Sequence, residues 1–561
     1  NTLGNGLVVD DLRQIRNNPL IRDVRHIPQI LTTGVWEFEG RQSSYYRPLI
    51  HVFYLAVYLL LGPDPWGFHL LNVLFHAGVS VLVYLLLRRL LPDGDPPGAP
   101  RLQRSAPLLG ALLFAAHPVH TEAVAWAAGI VDVTFTFFCL LSLYFYLARR
   151  DYAPGAGVGV SLVAFFLATL CKEPALTLPA IIVACDLLLG GKDGRGRAAA
   201  SRWLLYLLVA GFYLALRMNA LHGLAPVREE IGLGRARSLL TILQLFALDL
   251  EKLVLPIHLN FFHHFRPPPT MLSGNGVVVL ASFAAFAGAS LVAWRRCRPA
   301  LFGLLLIALP LLPTFYLPAL NQGLQNAFAE RYLYLPSFGF VFLLAAGLHH
   351  GWRIRAGWAP GLGLALLALV ILYSAGTARR NLVWRSASTL WADTVRKSPD
   401  SAIAHQGYGL ALLREGRRPE GEKELRTAVG LDPDLPDASL RKGLAYGRQG
   451  MLNDAIISFH TALALDPDSA EAHYALAVAY DDKGWIEQAI VHYEKTLALQ
   501  PGMAQAHNNL GVLQAKGGRL EEARRHFEAA VRLRPDDSSY RANLERARKE
   551  IGQAGMVPAD R

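Results

Sequence analysis

Asp10 and Asp11 stand side by side in "VVDDLRQIRNNPLI" (8–21). A carboxylate within hydrogen-bond reach of a hydroxyl can take its proton as that oxygen forms a new bond, so the pair is a candidate general base. One of the two could instead cap the helix expected at "LRQIRN", and both readings can hold together. Arg47 in "YYRP", Lys172 in "CKEP" and Arg331 in "AERY" are cations suited to neutralising an anionic group. Glu173 and Glu330 adjoin Lys172 and Arg331, so pairing with these neighbours, or contact with lipid headgroups, is the alternative reading. Tyr332 follows Arg331, and Pro48 reads as the start of a half-embedded helix with Arg47 at the interface. "HPVHTE" (117–122) supplies His117, His120 and Glu122. His-x-x-His spacing can ligate a metal, but Pro118 breaks the helix there and no further ligand is evident. A metal is therefore not expected, which leaves hydrogen bonding or packing. Asp132, with His69 and Asn72 from "GFHLLN", completes the set; His263 and His264 in "FFHHF" read as loop surface.

These groups must be positioned by two different kinds of chain. From Asn1 to about Arg380 the sequence is a series of apolar runs, several reaching the roughly 18–20 residues that cross a bilayer. Beyond Asn381 charges interleave at helical spacing. The chain carries 55 Lys and Arg against 44 Asp and Glu. About 31 of the basic and 19 of the acidic residues fall in the first part, leaving the second near neutral. The basic excess lies in short loops between apolar runs, where it orients helices rather than binding nucleic acid. Four cysteines sit in or beside apolar runs without metal or disulfide spacing. No initiator Met or leading apolar run is present, and a first helix ahead of Asn1 is expected.

Basic loops at 88–104, 149–152, 190–197, 295–298 and 349–355 mark the cytoplasmic side. Residues 1–65 then lie outside and 67–87 cross inward. Segments 106–116 and 130–148 form one out-and-back pair, 157–171 and 174–189 a second, and 202–220 leads out. Because 275–294 must return inward to Arg295, Arg296 and Arg298, the run 239–255 cannot be a simple span. With Asp249, Glu251 and Lys252 it reads as an interfacial or re-entrant helix. Segments 299–318, 336–350 and 357–376 then bring the chain outside again. Every candidate residue named above falls on that outer face, and clustered ionisable groups at a membrane indicate a site.

Pro399, Pro433, Pro467, Pro501 and Pro535 recur every 34 residues, the tetratricopeptide period. Four repeats are expected at 402–435, 436–469, 470–503 and 504–537. Small and aromatic positions recur within them: Gly443, Ala455 and Phe459 in the second, Gly511, Ala523 and Phe527 in the fourth. The third has Ala477 and Tyr493 at two of these places. The expected layout is an all-α chain: a polytopic membrane domain (1–380), a half-repeat connector (381–401), four repeats (402–537), and a capping helix with tail (538–561).

"VVDDLRQIRNNPLI", "YYRPL", "GFHLLNVLFHA", "FAAHPVHTEAVAW", "KEPALTLPAIIVACDLL" and "ERYLYLPSFGF" occur in this order ahead of the repeats. Together they resemble the transmembrane-and-tetratricopeptide protein O-mannosyltransferases and their bacterial relatives. The resemblance implies the GT-C glycosyltransferase fold and transfer of one hexose, commonly mannose, from a polyprenyl phosphate to a Ser or Thr hydroxyl outside the cytoplasm. It implies that Asp10 and Asp11 act at the acceptor. Arg331, Lys172 and Arg47, with Glu330 and Tyr332, would serve the lipid phosphate. His117, His120, Glu122, Asp132, His69 and Asn72 would line the sugar and acceptor pocket. The chain departs from the pattern at "GIVD" (129–132), where eukaryotic members often carry an Arg.

An Ala- and Arg-rich, Lys-poor composition suggests a bacterial inner membrane and an undecaprenyl-type carrier. No cofactor is expected beyond the lipid-linked sugar, and a divalent metal is not counted among them. The partners expected are the bilayer, that donor, and an acceptor protein held in the repeat groove. Two alternatives stand beside this reading. One is an oligosaccharyltransferase-like or O-antigen-ligase-like enzyme; the other is a membrane-tethered assembly scaffold in which the acidic loop is incidental.

Overall fold

The computed structural model describes residues 2–39, 45–91, 105–149, 151–153, 155–190, 196–223, 235–263, 274–315, 328–354 and 359–554. Every regular element among them is helical. The chain forms two compact units, the first ending at Pro399 and the second beginning at Asp400.

In the first unit, short helical turns lead to α1 (Pro48–Leu61), which starts on Pro48 at its first position and ends at Gly62, φ 83°. Then follow α2 (Pro65–Leu90), α3 (Ala106–Ala116), the short α4 (Thr121–Ala125), α5 (Ile130–Leu147), α6 (Ala156–Cys171) and α7 (Leu178–Leu189). They are succeeded by α8 (Arg197–Leu221), α9 (Arg235–Val254), α10 (Gly274–Arg296), α11 (Arg298–Leu311), α12 (Pro336–Ile354), α13 (Ala359–Val383) and α14 (Ala387–Lys397). Among the described residues, six helices are long and apolar enough to cross a bilayer, starting at Pro65, Ala127, Arg197, Asn275, Arg298 and Gly361. The pair Ala106–Ala116 and Pro118–Ala125 makes a seventh if taken as one span bent by 45°. Pro118 has no N–H to continue the helix, and the His117 ring accepts the Val119 N–H at 3.3 Å in its place.

One expectation changes here. Residues 157–171 and 174–189 are not full-length spans; α6 and α7 have only 16 and 12 residues. The run 239–255 belongs to α9, which is not among the spanning helices, in line with the charge reading, and Lys252 and Asp249 in it are buried. Helix packing relies on close approach: a Cβ added at Gly339 in α12 would lie 2.7 Å from the Gly303 carbonyl oxygen in α11.

The helices sort their polar residues by end. Arg149, Arg202, Tyr146 and Trp203 gather around the buried carboxylate of Asp186, with Trp203 Nε1 donating to Oδ2 at 3.0 Å. This end also carries Arg88, Arg89, Arg295 and Arg296 in the last turns of α2 and α10. The candidate site residues all lie at the opposite helix ends.

The second unit is a series of antiparallel helix pairs: α15 (Ala402–Arg414) with α16 (Arg418–Leu431), α17 (Leu435–Arg448) with α18 (Leu452–Leu465), α19 (Ala470–Asp482) with α20 (Ile486–Leu499), and α21 (Ala504–Lys516) with α22 (Leu520–Leu533). The amphipathic α23 (Ser538–Ala554) covers the last pair, with Leu544 and Ala547 buried beside Phe527. Gly416, Gly450, Gly484 and Gly518, again 34 residues apart, turn each pair with φ between 72° and 78°. Gly443 lets the ring of Phe459 pack onto its helix; an added Cβ would lie 2.4 Å from that ring.

Each pair also encloses a polar rung nineteen residues apart. His405 Nδ1 meets Glu424 at 2.6 Å, His473 Nδ1 meets His492 Nδ1 at 2.9 Å, and His507 Nδ1 meets His526 Nδ1 at 3.1 Å. The equivalent residues of the second pair are the buried Ser439 and Ser458. The Pro467 carbonyl, 3.1 Å from His473 Nε2, can only accept a proton, so His473 Nδ1 is bare and accepts from His492.

Candidate active site

The N-terminal loop is folded around Asp11. Its Oδ2 accepts the Val8 N–H at 2.9 Å and its Oδ1 the Ala128 N–H at 2.7 Å. Asp11 precedes a π-helical turn, Leu12–Arg16, but its side chain accepts nothing from that turn. The capping role expected for one Asp of the pair is therefore replaced, for Asp11, by a tie between loop and membrane unit. Burial lifts the Asp11 carboxyl to about 8, against the two N–H groups that lower it. Asp10 stays half-buried at the loop surface. Between the loop's anchor and Asp10, Val9 adopts φ 50°, a left-handed conformation costing a β-branched residue on the order of 1–3 kcal/mol.

Trp126 joins this loop to the cations. Its indole N–H donates to the Val8 carbonyl at 3.3 Å, and the Arg331 guanidinium carbon lies 5.4 Å from its ring centroid. Arg331 is held twice by Glu122: the guanidinium donates to Oε1 and the backbone N–H to Oε2 at 3.1 Å. Tyr332 presents its ring to both Arg331 (5.2 Å) and Lys172 (5.1 Å). Lys172 Nζ donates to Asp132 Oδ1 at 2.5 Å. Burial lowers the proton affinity of Lys172, Asp132 raises it, and the charges of Arg47 and Arg331 lower it again, with a net fall.

A third ion pair completes the group. Arg47 donates to Glu173 Oε2 from Nη2 at 2.8 Å and from Nε at 3.1 Å, while Arg217 Nη1 takes Oε1 at 3.0 Å. Burial opposes ionisation of Glu173, yet the two arginines outweigh it and hold its carboxyl below the usual range. Four cations thus share three carboxylates. Glu122 and Asp132 are almost fully enclosed beneath, and Arg331 and Arg47 keep 22% and 18% of their side chains open. This is an arrangement for presenting positive charge to an anion without leaving a buried charge unpaired.

The partners differ from those the sequence offered. Lys172 pairs with Asp132 rather than its neighbour Glu173, and Arg331 with Glu122 rather than Glu330. Glu330 instead accepts the Asn260 N–H and meets His263 Nε2 at 3.2 Å. His263 is accordingly half-buried against Glu330 and not loop surface; His264 lies outside the described residues. Asn72 Nδ2 donates to the Trp126 carbonyl at 2.7 Å, and His69 is buried on the same helix. His117 Nε2 donates to the Leu253 carbonyl at 3.0 Å, and His120 Nε2 meets Ser337 Oγ at 2.8 Å. Asn72, His117 and His120 therefore hold the backbone that carries Trp126, Glu122 and Arg331. The residues missing from the sequence reading are Trp126 and Arg217. The signal for Arg217 was a lone charge in the last two turns of an apolar helix.

Models of the tetratricopeptide repeat match residues 377–436 and 483–538, and a TPR repeat model matches 448–484. Beyond the repeats the likeness extends into the membrane unit. The chain is similar to protein O-mannosyl-transferases. It is 28% identical over 538 residues to Protein O-mannosyl-transferase Tmtc1 of Drosophila melanogaster, covering 78% of this chain and 60% of that one. To Protein O-mannosyl-transferase TMTC3 of Mus musculus it is 29% identical over 483 residues, covering 77% and 50%. The chain thus spans about half to three-fifths of the length of these curated relatives. Among solved structures, the first TPR of Spaghetti (RPAP3) bound to an HSP90 peptide covers 22% of this chain and 96% of its own, at 21% identity and TM-score 0.21.

Proposed function

We propose that this protein is a membrane glycosyltransferase that moves a hexose, mannose by its likeness to named O-mannosyl-transferases, from a polyprenyl phosphate to Ser or Thr hydroxyls of proteins. The observation that carries the reading is the cluster of Arg47, Lys172, Arg217 and Arg331 beside the Asp10–Asp11 loop, with Trp126 between them. In the reaction the acceptor oxygen bonds to the anomeric carbon as the bond from that carbon to the phosphate oxygen breaks. Asp10 receives the hydroxyl proton. The phosphate leaves with the electron pair, and the cations stabilise its growing charge. Asp11 positions the loop.

The site belongs outside the cytoplasm on this reading, because the basic helix ends, Arg88 and Arg89, Arg295 and Arg296, lie opposite to it. The tetratricopeptide solenoid would present acceptor protein. A GT-C membrane fold of bacterial type, with an undecaprenyl-type donor, is the form this function takes here. Membranes carrying the full chain, given radiolabelled polyprenyl-phosphate mannose and periplasmic protein, test it. Transfer that is lost in Asp10→Asn supports the enzyme and its base. Absence of transfer from any polyprenyl-linked hexose by the wild type would favour a scaffold.

A further inference from the structure

A second concentration of positive charge lies away from the Arg47–Lys172–Arg331 group, where α13 ends and α14 packs back. A cavity of about 690 Å³ opens there, lined by Arg379, Arg380, Arg396, Lys397, His258 and Asp393 among others. A single carboxylate serves three of these cations. Asp393 Oδ2 accepts from Arg380 Nη1 and from Lys397 Nζ, both at 2.5 Å, and its Oδ1 from Arg396 Nη2 at 3.1 Å. Arg379 is exposed and makes no ion pair among the described residues.

Arg380 carries the argument furthest. Its side chain is 7% exposed, and its Nε and Nη2 have no hydrogen-bond partner among the described residues. The nearest carboxylate to Nη2 is Glu330 Oε2, at 4.0 Å. Buried guanidinium donors without acceptors are costly, and Arg380 is one of the residues that line the cavity. The C-terminal dipole of α13 accounts for cations in its own last turn, but not for Arg396 and Lys397, which come from another helix. Mutual repulsion is evident at Lys397: burial and the charge of Arg380 hold its proton affinity below the ordinary lysine value despite the bond to Asp393. Backbone strain adds a second mark, since His258 on the cavity wall adopts φ 53°.

Position and size identify the anion. α13 is a spanning helix from Gly361 to Val383, so Arg379 and Arg380 in its last turns stand at the depth of lipid phosphates. The cavity is far larger than a bare phosphate and falls in the size range of organic ligand sites. We propose that this cavity is a second anion site, separate from the cluster that carries Arg331, and that it takes the phosphate of a membrane lipid. Prenyl phosphates and glycerophospholipids share the chemistry it recognises: a phosphate bearing one or two negative charges on an apolar chain.

Binding to the full-length protein in neutral detergent micelles tests this with four probes. They are farnesyl phosphate, dioctanoyl phosphatidic acid, inorganic phosphate, and uncharged dioctanoylglycerol. Arg379→Gln/Arg396→Gln is the variant, because both side chains are exposed and Asp393 keeps Arg380 and Lys397. The expected result is that both lipid phosphates bind, the diglyceride does not, and the variant binds about tenfold more weakly. That loss should persist in an Arg331→Gln background, which separates this site from the proposed donor site. Tighter binding of farnesyl phosphate would mark a prenyl site, and equal binding a general lipid phosphate site. Affinity unchanged by Arg379→Gln/Arg396→Gln, no binding of either lipid phosphate, or inorganic phosphate binding as tightly as both, would overturn the proposal.

Discussion

The N–H of Ala128 donates to Asp11 across 117 residues of chain, and it divides the labour of two adjacent carboxylates. Asp11 has both oxygens engaged and is buried, whereas Asp10 is half-buried and follows the left-handed Val9. Asp10→Asn should therefore lower transfer by roughly 10²–10⁴-fold with an unchanged unfolding midpoint. Asp11→Asn puts an amide NH₂ against one of two backbone donors, and should destabilise the loop by about 1–3 kcal/mol. Transfer assays beside hydrogen exchange over residues 5–16 tell the two apart. Equal effects of both variants on exchange would reject the division.

Raising pH should loosen the same loop. The folded carboxyl of Asp11 lies at about 8, above its ordinary value of 3.8, so the folded state binds this proton more tightly than the unfolded one. That stability is fully present below pH 3.8 and is lost as pH rises through about 8. Exchange corrected for its intrinsic pH dependence should show residues 5–12 opening more readily at pH 9 than at pH 6, and Asp11→Asn should remove the difference.

Arg217 should matter to the donor more than to the fold. Arg217→Gln leaves Glu173 paired with Arg47 alone and takes one charge from the presented surface. The KM for the lipid-linked sugar should rise roughly tenfold while kcat changes little. A fall in kcat at unchanged KM would place Arg217 in the chemical step instead.

Within the solenoid, Gly443→Ala should cost about 1–3 kcal/mol, because the new methyl meets the ring of Phe459. Thermal unfolding of the full chain followed by exchange in α17 and α18 measures it. Shortening the ring in Gly443→Ala/Phe459→Leu should recover part of the loss.

The parts of this molecule that sequence reading reached are those written in local periods. Pro399 to Pro535 mark the repeats at 34-residue intervals, and apolar runs such as 67–87 mark spans because lipid imposes length and hydropathy on them. Pairing within the site escaped it because no local period governs it. Arg331 finds Glu122 from 209 residues away and Arg47 finds Glu173 from 126, each passing over a carboxylate nearer in sequence. Helix geometry explains the choice for Lys172: it leaves the end of α6 in extended backbone, which carries its side chain to Asp132 on α5. His117, His120 and Asn72 look like site residues in one dimension because the backbone they hold is the site's own frame.

The rungs of the solenoid are chemically unequal. His405 Nδ1 meets a carboxylate, Glu424, in the first pair, whereas the last two pairs each set one imidazole against another. Burial depresses the proton affinity of His473, His507 and His526, and holds His492 down to about 4, so acid strains the last two. Between pH 6.5 and about 4 the last two repeats should lose stability. An acidic surrounding would then loosen the C-terminal half of the solenoid, so that acidity sets how much of the array stays folded.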